Sequence, residues 1–212
     1  VTEGTDFLYP FIEGGEHDAD SLLADLATSA AAKGAMSAKL QATTLADCEA
    51  TMMTLAQVMA PRFNAGGRLF VFGNGGSATD AAGIVALFRT PPWGRALRAR
   101  SLVADHAVLT ALGNDVGFEL VFSRQLIAYA RQGDMAVGLS TSGNSTNLLS
   151  AFAEADRRGL LTVGLAGYDG GQMVSSPDVQ HCLVVSSSSV HRIQETQSAL
   201  AFELWSRIQS LV

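Results

Sequence analysis

The stretch FVFGNGGSATDAAGIVALF, residues 70–88, decides the fold. It opens as a short apolar run, passes through a glycine-rich turn at Gly73–Gly76 and enters a helical segment. Ser77 and Asp80 stand three residues apart at the start of that helix, the spacing of a capping box. Strand, glycine turn and helix in this order form the unit from which parallel sheets are assembled. Glycines let a backbone approach an anion closely, and a helix N-terminus offers unpaired N–H groups. The continuation Ala82-Gly83-Ile84-Val85-Ala86-Leu87-Phe88 carries no ionisable side chain. The stretch therefore reads as an anion cradle backed by a helix that cannot move a proton.

The same rhythm extends outward. β-type runs at 68–72, 101–104, 135–140, 161–167 and 182–186 alternate with helical segments at 77–89, 106–112, 116–131, 145–158 and 192–210. Alternation of this kind predicts an α/β fold with a parallel sheet covered on both faces. Upstream, Leu22, Leu23 and Leu26, then Leu45, Met52, Leu55 and Met59, fall at helical spacing. A break near Gln41–Thr44 predicts two helices, the second opening on a threonine cap. Met52, Met53 and Met59 read as helix-packing residues, since methionine commonly fills such interfaces. The expected layout is an N-terminal arm over 1–18 and a single domain over 19–212. That domain comprises a helical part, 19–64, and an αβα core, 65–212. Phe7, Leu8, Tyr9, Phe11 and Ile12 give the arm enough apolar surface to dock on a protein partner.

Composition sets limits. Of 212 residues 48% are apolar, enough for a sizeable core, and the net charge is −6. That balance argues against direct nucleic-acid binding, which calls for a basic face. It leaves room for a small anion held by a local cradle. Cys48 and Cys182 lack metal-ligand spacing and read as reduced thiols. The opening residues show no basic-then-apolar leader, and no apolar run nears the roughly 20 residues that span a bilayer. The expectation is a cytoplasmic protein with no membrane partner.

A second loop, Ser140-Thr141-Ser142-Gly143-Asn144-Ser145, lies between a strand and a helix and gathers four hydroxyls around a glycine. Hydroxyls and main-chain N–H groups can surround a phosphate without Lys or Arg. Ligands in parallel sheets bind beyond the carboxyl ends of the strands, where both loops are expected. Each loop alone has a plainer explanation, as turn geometry or as a helix cap. Together on one sheet edge they point to phosphate. Gly73-x-Gly75-x-x-Ala78 also fits a relaxed dinucleotide fingerprint, but the acidic candidate, Asp105, lies beyond its usual spacing.

The blocks GNGGSATDA, LTALGNDVGF, GLSTSGNSTNLL, GLAGYDGGQM and RIQETQ resemble, in order and spacing, the sedoheptulose 7-phosphate (phosphoheptose) isomerases of the sugar-isomerase, or SIS, class. The resemblance runs from about residue 40 to the C-terminus. It implies a three-layer αβα sandwich around a five-stranded parallel sheet, and a homotetramer packed through helices. It also implies that Ser77, Ser140, Thr141, Ser142 and Ser145 take the sugar phosphate, with Asn74, Gly75 and Gly76 in the same pocket. Gln194 would reach the substrate or a metal from the last helix.

Aldose–ketose isomerisation needs a base for a carbon-bound proton and an acid for the oxygens. The isomerases resembled here carry a His and a Glu four residues apart on the helix after the first turn, and another His on the last helix. The matching positions in this chain are Gly83, Leu87 and Phe202. Gln194 alone is a poor metal ligand, so neither a zinc site nor another cofactor is expected. Leu87 and Phe202 are expected to make the pocket smaller and drier. His191 and Glu195, four apart beside Gln194, are weak candidates for a replacement acid–base pair. The balance favours a phosphosugar-binding protein that does not isomerise, as in the replication-initiator-associating SIS proteins. The alternative is an active phosphoheptose isomerase that uses other residues.

Overall fold

The computed structural model describes residues 19–212. Contacts group the chain into two units, 1–39 and 40–212. Helix α1 spans Ala19–Asp47. Within the first unit it exposes Leu22, Leu23, Leu26 and Met36. The expected break at Gln41–Thr44 is absent. Thr44 is buried inside the helix, and the interruption falls at Cys48. Threonine caps a helix only where the preceding backbone leaves the helical region, and here it does not.

In the second unit α2 (Glu49–Asn64) leads into β1 (Leu69–Gly73), α3 (Gly76–Arg89), β2 (Ala99–Ser101) and α4 (His106–Asp115). A 3-10 turn at Phe118–Leu120 precedes α5 (Val121–Tyr129), β3 (Met135–Ser140) and α6 (Thr146–Arg157). The chain closes with β4 (Leu161–Gly167), α7 (Gly171–Ser175), β5 (His181–Val185) and α8 (Val190–Gln209). All five strands are parallel, in the order β2-β1-β3-β4-β5. The architecture is the α/β sandwich expected. β2 starts two residues before its apolar run, where Ala99 pairs with Leu69, and ends at Ser101, after which the Leu102 N–H donates to the Val71 carbonyl and the chain turns.

Alternation along the strands builds the layers. Leu69 and Val71 of β1 pack with Met52, Leu55 and Met59 of α2, Ile84 and Phe88 of α3, and Leu200 and Trp205 of α8. Phe70 and Phe72 face the other way, toward Phe122 of α5 and Phe152 of α6. Strands buried on both faces need apolar residues at successive positions, which is how β1, β3 and β4 read. Cys182 sits on β5, and burial, with Cys48 as its neighbour, pushes its thiol up to about 11. Among the described residues no helix is long and apolar enough to cross a membrane.

The strand order fixes where a ligand can sit. The chain leaves β1 toward β2 on one side, then returns to place β3 on the other. A crevice opens at this switch, beyond the carboxyl ends of β1 and β3. Gly73 pairs with Leu139 in register, so the glycine turn and the serine loop emerge side by side.

Candidate phosphate-binding site

The first wall is the turn after β1. Gly75 caps α3 with φ at +54°, a conformation that L side chains rarely adopt. Ser77 is buried inside the first turn of α3 and caps nothing. Asp80 does not complete a capping box either: its carboxylate accepts the Gln194 amide from α8 at 2.8 Å. A Cβ at Gly76 would land on that same amide, so Gln194 lies directly against the glycine turn.

The second wall is the loop after β3. Ser140, nearly fully buried, lies 3.0 Å from the Ser145 hydroxyl and 3.4 Å from that of Ser142. Its oxygen also accepts the Gly143 N–H at 3.1 Å. Gly143 has φ at +66°, and a Cβ there would collide with the Gly170 carbonyl. Asn144 donates to the Ser142 carbonyl at 2.9 Å and accepts the Gln172 N–H at 3.0 Å, which ties the loop to α7. Ser145 precedes α6, whose first N–H groups have no intrahelical partner. Three hydroxyls and a helix N-terminus thus converge at one place with no cation among them. Thr141 is half-buried in the same loop.

One contact joins the walls. Asn74 donates to the Asn147 carbonyl oxygen and Asn147 donates back, both at 2.9 Å. Asn147 is 3% exposed and Asn74 half-buried, so this reciprocal amide pair is a partly buried rivet between the two loops. Neither Asn147 nor the Asp80–Gln194 contact stood out in the sequence. The available signal for Asn147 was its place two residues beyond Ser145 at a helix start.

Beside the glycine turn lies a cavity of about 560 Å³, bounded by Asn74, Gly75, Thr79, His106 and Phe118 among others. His106 opens α4, just after Asp105, which caps that helix by accepting the Val108 N–H at 3.1 Å. The expectation that Leu87 and Phe202 crowd the pocket is not met within this chain. Leu87 packs against the apolar core on α3, while Phe202 is 47% exposed on α8, its ring 5.3 Å from that of Trp205. Gly83 faces open space. His191 and Glu195 are both exposed on the first turns of α8. Among the described residues no group of three or more His, Cys, Asp or Glu could hold a metal ion.

A parallel sheet with a hydroxyl-rich loop and a glycine turn at its switch point is the architecture of the SIS domain, and the SIS-domain family matches residues 35–167. The phosphoheptose isomerase of Pelobacter propionicus is 47% identical over 153 residues, covering 70% of this chain and 79% of that one. That of Chlorobium phaeovibrioides is 39% identical over 168 residues, covering 77% and 78%. The structure of the phosphoheptose isomerase from Neisseria gonorrhoeae superposes with a TM-score of 0.80 at 34% identity, covering 87% of this chain and 99% of that one. The chain belongs to the SIS-domain family and, within it, to the phosphoheptose isomerase group.

Proposed function

We propose that this protein binds a phosphorylated sugar, or a similar phosphorylated metabolite, without isomerising it, and acts as a binding, regulatory or scaffold protein. The observation that carries the reading is a contrast between adjacent parts of one site. The cluster of Ser140, Ser142 and Ser145 is assembled and buried at its base. The three positions that hold acid–base residues in the isomerases it resembles are Gly83, Leu87 and Phe202, none of which can carry a proton. The phosphate would rest on Ser77, Ser140, Thr141, Ser142, Ser145 and the N-terminus of α6. Asn74, Gly75, Gly76 and Gln194 would face the sugar.

Calorimetric titration with sedoheptulose 7-phosphate, followed by an isomerisation assay on the same sample, tests this. Binding without turnover is expected. Ser142→Ala with Ser145→Ala should weaken binding about tenfold or more, since hydrogen bonds to a charged group contribute roughly 1.5–3 kcal/mol each. Turnover of the sugar would overturn the reading.

One observation favours a second reading, an isomerase with altered machinery: His106 borders the same cavity as the glycine turn. A histidine beside the cradle is a residue type that serves as a general base. If turnover is seen, loss of it in His106→Asn with binding retained would assign the base. His191 and Glu195, exposed on α8, are the weaker pair for that role.

The same reading includes a cytoplasmic homotetramer. Exposed apolar side chains on the helices support it: Met53 on α2 and Phe202 on α8 are each about half exposed. A contact between copies would bury this apolar surface. The arm residues 7–12, proposed to dock on a protein partner, lie outside the described residues.

A further inference from the structure

A cavity of about 1100 Å³ runs beside β2, the edge strand next to β1. Five arginines line it: Arg68, Arg89, Arg98, Arg100 and Arg131. The chain has 14 Lys and Arg against 20 Asp and Glu, yet Asp105 is the one acidic residue on this wall. Its carboxylate is engaged by the Val108 N–H.

Two of the arginines are anchored. Arg68 forms an ion pair with Asp134 at 2.8 Å and donates to the Tyr129 carbonyl at 2.5 Å. Arg100 lies over the Tyr129 ring, 3.6 Å from its centroid. The guanidinium groups of Arg89, Arg98 and Arg131 have no carboxylate or carbonyl partner among the described residues, and all three are exposed. They come from the end of α3, the approach to β2 and the approach to β3. The connection from α3 to β2 and the approach to β3 thus deliver free planar forks to one concavity.

Guanidinium forks recognise phosphate oxygens two at a time. One phosphate saturates one or two of them; three free forks along a strand suit a chain of phosphates. No Phe, Tyr or Trp lines the cavity, so it lacks the aromatic platform on which single-stranded nucleic acid stacks its bases. We propose that this cleft is a second anion site, one that takes a linear di- or triphosphate group, either inorganic or carried by a nucleoside. Ala104 and His106 line both this cleft and the cavity at the glycine turn, so the two ligands would be neighbours. The assignment does not depend on the phosphosugar reading, because it uses none of the serine-loop residues.

The test is titration of tripolyphosphate and, separately, of ATP into the full chain. Three proteins are compared: the natural chain, Arg98→Gln with Arg131→Gln, and Ser142→Ala with Ser145→Ala. The arginine pair should lose about tenfold or more in affinity for both probes, the size expected for charge-assisted hydrogen bonds. In the serine pair the arginine-dependent binding should keep its affinity within about twofold, and any phosphate lost from the serine loop reads as a separate site. Equal affinity for the two probes means that the phosphate chain suffices; tighter binding of ATP assigns a nucleotide. Either supports the cleft. Thermal unfolding confirms that the arginine variant folds; if it does not, Arg89→Gln at the end of α3 serves in its place. Absence of binding, unchanged affinity in the arginine variant, an equal loss in the serine variant, or equal binding of a glutamate-rich peptide would each overturn the proposal.

Discussion

Asn147 shows how a single side chain can set the geometry of a site it does not complete. Its amide, buried, and the half-buried amide of Asn74 exchange two hydrogen bonds at 2.9 Å. Water reaches the Asn74 side only in part, so removing one partner leaves the other with part of its desolvation uncompensated. Asn147→Ala removes both protein partners of the Asn74 amide and should cost about 1–3 kcal/mol of stability. It should also weaken phosphosugar binding, because the glycine turn and the serine loop lose their common rivet. Urea denaturation and calorimetry on the same variant read the two effects. A variant as stable and as tight as the natural chain would show that strand pairing alone aligns the loops.

At the scale of elements, the sheet is pinned at its opposite end by Asp134. This carboxylate, 2% exposed, accepts the backbone N–H of Arg68 at 2.8 Å, the Arg68 guanidinium at 2.8 Å and the backbone N–H of Arg131 at 3.0 Å. It thereby fixes the starts of β1 and β3, the two strands whose far ends carry the site. Asp134→Ala strands a partly buried guanidinium and two N–H groups, and should cost about 3–5 kcal/mol. The urea midpoint should fall with no change in slope, since the surface exposed on unfolding is the same. The central strands were legible in the sequence because their apolar runs are buried on both faces, and α3, α6 and α8 because their buried residues fall on one helical stripe; α1 was misread, since it runs through the break expected at Gln41–Thr44. What was not legible depends on contacts between distant segments. Asp80 looked like a cap and turned out to hold Gln194, 114 residues away. The short helix α7, with one buried residue, Met173, leaves too little periodicity to be seen. The arginines of the cleft are scattered from 68 to 131 and meet only once the strand order is known.

For the whole molecule, the replacements at Gly83, Leu87 and Phe202 have a meaning beyond lost chemistry. Gly83 meets open space, and Phe202 presents about half of its surface to solvent beside Trp205, which itself packs on Trp93. An aromatic ring left in water forgoes the stabilisation that burying it would give, roughly 1.5–3 kcal/mol per large apolar side chain. In a symmetric assembly that gain is collected once per copy, so one residue type can decide the oligomeric state. Phe202 is thus suited to packing against another copy of the chain at the place where the isomerases it resembles keep a histidine. Phe202→Glu should leave the fold of each chain intact, since the residue is not part of the buried core. Sedimentation should show the natural chain as a tetramer and the variant as a smaller species. If the variant sediments as the natural chain does, α8 does not mediate assembly, and the exposed face of α1 with Leu22, Leu23 and Leu26 becomes the surface to substitute next.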